Sequence, residues 1–248
     1  MFTGQKKQKM FGAGMYAMLL VMSSAYADIE SQSETWRHKF TPTYYVTTNQ
    51  TDATDLNLRA NHLTHVIWVG HYWRGNEFEQ TRIGYEYTSQ FSFIQLVPSL
   101  QMATHGFVGG SINTQIGESI YAVLGLGRTN AQDYYNLNFD PNDSLLYGVG
   151  TKLLPKSNLS VFTVMDNRLH TDQVVTHLVW KFTPDIHQRL TVDWSRKQGR
   201  ATVNDDSVFG DALSVTYDYG DVFLRIAQDH KVNFSTEDQT RLSVGIRY

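Results

Sequence analysis

Charged side chains stand at alternate positions along several stretches of this 248-residue chain, opposite apolar or aromatic ones. Arg82 and Glu86 alternate with Ile83, Tyr85 and Tyr87. Lys152 follows Gly148 and Gly150, opposite Tyr147 and Val149. His177 and Lys181 oppose Leu178, Trp180 and Phe182; Arg189 and Asp193 oppose Leu190, Val192 and Trp194. Asp218, Arg225 and Arg247 stand in the same relation to Tyr217 and Tyr219, Leu224 and Ile226, and Ile246 and Tyr248. A period of two puts each charged set on one face of an extended strand. Arg59 and Arg241, with Asp55 and Asp229, extend the set. Such a face can bind and orient small polar solutes, and its basic excess favours anions. The same charges could instead pair across neighbouring strands and only stabilise them.

Catalysis has less support. Acyl transfer needs Ser and His in hydrogen-bond reach, with an orienting carboxylate or amide. None of the nine His stands in a His-x-Ser pair on one strand. His105 and Ser111 are six positions apart, and His170, in the run from Asp166, has no nucleophile beside it. Asp140 and Asp143, with Asn142 between them, have oxygen donors for calcium, but the run reads as an Asp-Pro turn ahead of a strand. There is no cysteine, so neither a disulfide framework nor a thiolate metal site is expected. No cofactor or metal is expected. Gly109-Gly110 and Gly125–Gly127 precede no helix and carry no phosphate-loop meaning.

The elements that carry these residues are alternating strands. Fourteen are expected: His38–Thr48, Thr54–Ala60, Thr64–Trp73, Phe78–Thr88, Ser92–Met102, Gly106–Ile116, Ile120–Thr129, Ser144–Leu154, Leu159–Asp166, Gln173–Phe182, Gln188–Lys197, Ala212–Tyr219, Val222–Asp229 and Thr240–Tyr248. Thr54–Ala60 is the shortest; without it the count falls to twelve. The phase of Thr64–Trp73, almost wholly apolar, is left open. Connections alternate in length. Ser89-Gln90, Gly117-Glu118, Pro155–Ser157, Pro184–His187 and Gly220-Asp221 are short; Asn130–Asn142, Gln198–Gly210 and His230–Gln239 are long. There is no amphipathic helix, linker or repeat, so 28–248 reads as one domain.

The amino terminus reads as a cleaved export signal over 1–27. Lys6, Lys7 and Lys9 precede the short apolar run Met10–Met22, and Ala25-Tyr26-Ala27 supplies the cleavage pattern. That leader has three Lys and no acid, so the remainder is three units more acidic than the whole chain's −3. This argues against nucleic-acid binding. No run of 18 apolar residues exists, which excludes a bundle of membrane helices.

The last strand gives the pattern a direction. Leu242, Val244, Ile246 and the terminal Tyr248 share one face; Arg241, Ser243, Gly245 and Arg247 share the other. This resembles the closing strand of Gram-negative outer-membrane β-barrel proteins, porin-like and of 12–14 strands. No single family is matched. The resemblance implies an antiparallel up-and-down transmembrane barrel in the cell outer membrane, with the apolar face in lipid and Leu242–Tyr248 recognised by the barrel assembly machinery. It implies contact with membrane lipid and lipopolysaccharide, and a passive channel for small polar or anionic solutes. Arg82, Glu86, Lys152, His177, Lys181, Arg189, Asp193, Asp218, Arg225 and Arg247 would then line the lumen. Outer-membrane lipases and lipid A deacylases share this size and architecture, and an envelope-assembly barrel without transport is a third possibility. The closing strand's partner separates the counts: His38–Thr48 for fourteen strands, Thr64–Trp73 for twelve.

Overall fold

The computed structural model describes residues 35–135, 143–166 and 168–248. The leader expected over 1–27 and the calcium candidates Asp140–Asn142 lie outside them. The strands are β1 (Arg37–Thr47), β2 (Ala53–His62), β3 (His65–Arg74), β4 (Phe78–Tyr87), β5 (Ser89–Phe91), β6 (Ile94–Ala103), β7 (Phe107–Gly117), β8 (Ile120–Thr129), β9 (Ser144–Thr151), β10 (Ser157–Asp166), β11 (Gln173–Asp185), β12 (Gln188–Gly199), β13 (Val208–Tyr219), β14 (Val222–Asp229) and β15 (Gln239–Arg247). All pairs are antiparallel neighbours in sequence, apart from two closures: β15 pairs with β1, and β4 pairs with β6. The sheet is therefore a closed barrel; short β5, paired with β6 alone, keeps its other edge free among the described strands.

Fifteen segments make fourteen walls. Glu86 faces Ser99 on β6, and three residues further along each strand Ser89 faces Leu96, so β5 continues β4 in the same register. The break falls opposite Pro98, which has no N–H to give the ladder. The chain turns after β5, at Ser92-Phe93, and not at Ser89-Gln90 as the sequence suggests. β2 is a full strand of ten residues, and β15 meets β1 with Tyr44 opposite Leu242. The count is fourteen.

The two faces differ in chemistry. Phe40, Leu58, Ile83, Leu100, Ile112, Leu126, Val149, Leu178, Leu213, Ile226 and Val244 are exposed on the outside. The β3 phase left open by the sequence resolves with Ile67 and Val69 outward and Trp68 and Tyr72 inward. Asp55, Arg82, Glu86, His177, Asp193 and Lys197 are buried on the inside. A soluble sandwich hides its apolar face; this barrel presents it and hides the polar one, the arrangement a bilayer requires. Outward-facing charges on the spanning strands, such as Glu79, Arg128, Arg196 and Asp211, fall near strand ends. At the end holding the start of β1 and the end of β15, Trp36 stacks on His62 and His38 on Tyr248, an aromatic belt where interfacial rings belong. That end has the short turns and is called the turn end here; the other is the loop end.

Glycines shape the inner wall. Trp68 faces Gly84, Tyr121 faces Gly150, Phe162 faces Gly148 and Phe223 faces Gly245 across neighbouring strands. A Cβ on Gly84, Gly150 or Gly245 would overlap the facing ring, and one on Gly148 would meet the Phe162 Cβ and the Val161 carbonyl. Trp68, Tyr121 and Phe223 lie over their bare neighbours, along the wall and not across the bore. Inward-facing Tyr121, Val123, Leu146, Phe162, Val164 and Val179 form one buried apolar patch on β8 to β11.

Candidate functional site

The inner surface is asymmetric in charge. Arg59, Lys39 and Arg247 face one another in register on β2, β1 and β15, three cations in a row. Like charges placed directly opposite repel. Two of them are matched: Arg59 bonds Glu86 at 2.7 Å, and Arg247 bonds Asp218, which also takes Arg189 at 3.3 Å. Others are not. Among the described residues, Lys39, Arg225 and Arg241 have no carboxylate within ion-pair distance. Arg225 donates to Thr216 Oγ1 at 2.9 Å, and the Arg241 Nε is buried without a partner.

Lys39 and Arg225 gather with Arg247 on one ring. Lys39 Nζ lies 4.7 Å from the centroid of Phe223, the Arg247 guanidinium 5.2 Å and the Arg225 guanidinium 5.7 Å. Cation–π attraction contributes about 0.5–2 kcal/mol per contact, too little to neutralise three charges. Phe223 holds them together because Gly245 lets it lie flat.

A second group closes in from the loop end. The segment after β8 folds into the bore. Gln80 Oε1 accepts from the Tyr135 amide at 2.7 Å, Gln80 Nε2 donates to Asp133 O at 3.0 Å, and Arg82 Nη1 donates to Tyr135 O at 2.5 Å. The Tyr134 hydroxyl donates to Gln101 at 2.9 Å, and its ring stacks on Phe107 at 4.0 Å. Burial raises the Tyr134 phenol well above the usual tyrosine range. Tyr135 stacks on Tyr72 at 3.5 Å and meets Tyr45 edge-on at 6.0 Å. Its hydroxyl accepts from Gln239 on β15 at 3.4 Å. β15 is seven walls from β8 in either direction. A round fourteen-strand barrel tilted by about 40° is roughly 28 Å wide between backbones, so this segment crosses and narrows the bore.

The residues singled out from the sequence fall into distinct places. Arg82 and Glu86 are buried and paired with Asp55 and Arg59, each bridge stepping over β3. Gly70 makes one crossing possible, since a Cβ there would stand 2.8 Å from Arg82 Nη2. Arg189, Asp218 and Arg247 form one network at the turn end. His177 bonds Asp193 at 3.2 Å and stacks on Phe162 at 4.8 Å. Ser195 faces His177 in register, but no hydrogen bond joins them among the described residues, so the contact an acyl-transfer triad needs is not made. Lys181 is half-buried between Asn158 and Thr191. Lys152 lies past the end of β9, exposed, with its ammonium 5.8 Å from the Tyr121 ring centroid. Sequence reasoning missed Lys39, Phe223, Gln80, Gln101, Tyr134 and Tyr135. The alternation places Lys39 on the correct face; only pairing brings it to Phe223.

No protein-family model matches the chain, and no curated protein matches it in sequence. Solved structures match over most of its length. The KdgM porin in complex with disordered oligogalacturonate is 8% identical, with 84% of this chain and 98% of that chain covered and a TM-score of 0.47. Pseudomonas aeruginosa OccK10 (OpdN) is 9% identical, with 87% and 99% covered and a TM-score of 0.47. A mutant of Rh. blastica porin is 9% identical, with 86% and 99% covered and a TM-score of 0.49. At these identities and scores, solute and site rest on this chain's own residues.

Proposed function

We propose that the protein is a passive channel of the outer membrane for small polar solutes, with anions preferred. It is exported by its leader, inserted through Leu242–Tyr248, and oriented with the turn end in the periplasm. The observation that carries the anion preference is the unmatched pair Lys39 and Arg225 beside Phe223, with the Arg241 Nε buried without a partner on the same side of the bore. Buried charge without a counter-charge is costly, and a passing anion supplies one. Arg82, Glu86, His177, Lys181, Arg189, Asp193, Asp218, Arg225 and Arg247 line the route, with Lys152 at its periplasmic rim. The inward segment to Tyr135 limits solute size. Purified protein in a planar bilayer under a potassium chloride gradient should show stepwise conductance with an anion-selective reversal potential. Lys39→Glu with Arg225→Glu should lower the anion-to-cation permeability ratio several-fold. No conductance, or an unchanged ratio in the double variant, would remove the reading.

A further inference from the structure

The outer wall carries a groove of about 870 Å³ that runs across the strands from the turn end of β4 to the loop end of β8 and β9. Its floor is Gly110, an outward-facing position with no side chain. Tyr85, Leu100, Gly110 and Arg128 stand in one register row across β4, β6, β7 and β8. Leu126 and Leu145, paired with each other, form the far wall. Tyr87, Pro98 and Ile112 add apolar surface, while Ser99, Ser111 and Ser144, inward-facing residues, reach the lining from the wall itself. Arg128 stands at the mouth beside Asp143, with its side chain 77% exposed.

An exposed guanidinium on a lipid-facing wall is costly unless an anion or water meets it; Arg or Lys at the bilayer midplane of a barrel costs about 2–4 kcal/mol and far less near the interface. Arg128 lies one residue from the loop end of β8, the side a membrane barrel turns toward the headgroups. Its only carboxylate partner among the described residues is Asp143, at 3.5 Å, and Asp143 is shared with Arg168 at 3.3 Å. Two guanidiniums on one carboxylate leave a positive charge over an apolar trough. We propose that this groove binds a phosphorylated lipid of the surrounding leaflet, one acyl chain lying over Gly110 between Leu100 and Leu126 and a phosphate at Arg128. The site rests on the membrane-barrel reading but not on conduction, because it lies outside the bore.

The test is native mass spectrometry of the refolded protein in mild detergent with diphosphorylated lipid A or its dephosphorylated form. Wild type should retain the diphosphorylated lipid at least five-fold more than the other. Arg128→Gln should bring the two to the same low level, while Gly110→Leu should lower both by filling the trough. Heat-modifiable migration checks that each variant is folded; if Gly110→Leu fails it, Arg128→Gln decides alone. Equal retention of both lipids by wild type, or undiminished retention by Arg128→Gln, would overturn the proposal. So would a stable dimer cross-linked through Leu126→Cys, since a second copy would then fill the groove. A silent protein that still discriminates the two lipids would sink the channel and leave this site standing.

Discussion

Arg82 shows how much one side chain can organise. It is 2% exposed and its partner Asp55 is fully buried, yet they sit on strands separated by β3. The guanidinium passes over Gly70 to the carboxylate and donates to Tyr135 O from its other arm. Breaking a buried pair by removing one partner costs about 3–5 kcal/mol, because the other charge stays behind. Arg82→Gln should therefore lower the unfolding free energy of the lipid-embedded barrel by about 3–5 kcal/mol, read as a lower urea midpoint. Adding Asp55→Asn should recover most of the loss, and a double variant as unstable as the single one would mean that the pair is not what Arg82 stabilises. Alternation alone marks Arg82 as an inward residue. It does not reveal the partner, because a bridge that skips a strand depends on what the middle strand lacks. The same holds for Phe223: its face is legible, but its three cations come from β1, β14 and β15 and meet only once register is set.

The wall strands are legible because each buries one face against protein and offers the other to lipid, so hydropathy repeats at two. β2 is the instructive case: seven residues carried a weak pattern, and ten pair on both sides. The inward segment is the opposite case. Little local in Asn130–Tyr135 shows where it goes, since its partners Gln80, Gln101 and Gln239 lie on distant strands. Its aromatic pair was the available signal, because two adjacent Tyr in a polar loop need somewhere to bury. Each aromatic stack contributes about 0.5–1.5 kcal/mol beyond area, and roughly 1.4 kcal/mol is tenfold in an equilibrium. Tyr134→Ala with Tyr135→Ala should shift the segment out of the bore by one to two orders of magnitude. Single-channel conductance should rise while heat-modifiable migration is unchanged. Equal conductance in wild type and variant would show that the narrowest point lies elsewhere.

At the scale of the whole molecule, charge is distributed by wall. β1, β2, β14 and β15 carry the basic group, while β6 to β9 offer Gln95, Ser99, Ser111, Asn113 and apolar side chains inward. In the proposed channel a solute would meet positive potential on one side and neutral hydrogen-bonding groups on the other, an arrangement that would turn a dipolar anion as it passed. This is an electrostatic preference acting through water, so screening must govern it. The Debye length is about 10 Å at 0.1 M salt and about 3 Å at 1 M. At the lower value the basic wall acts across much of the narrowed bore; at the higher it acts only on ions in contact with it. The anion preference from the reversal potential should therefore be largest in dilute potassium chloride and fall toward the free-solution ratio by 1 M, while conductance itself persists. A preference that stays constant over that range would mean that selection is made by direct contact at Lys39 and Arg225, and the field of the wall as a whole would then have no part in it.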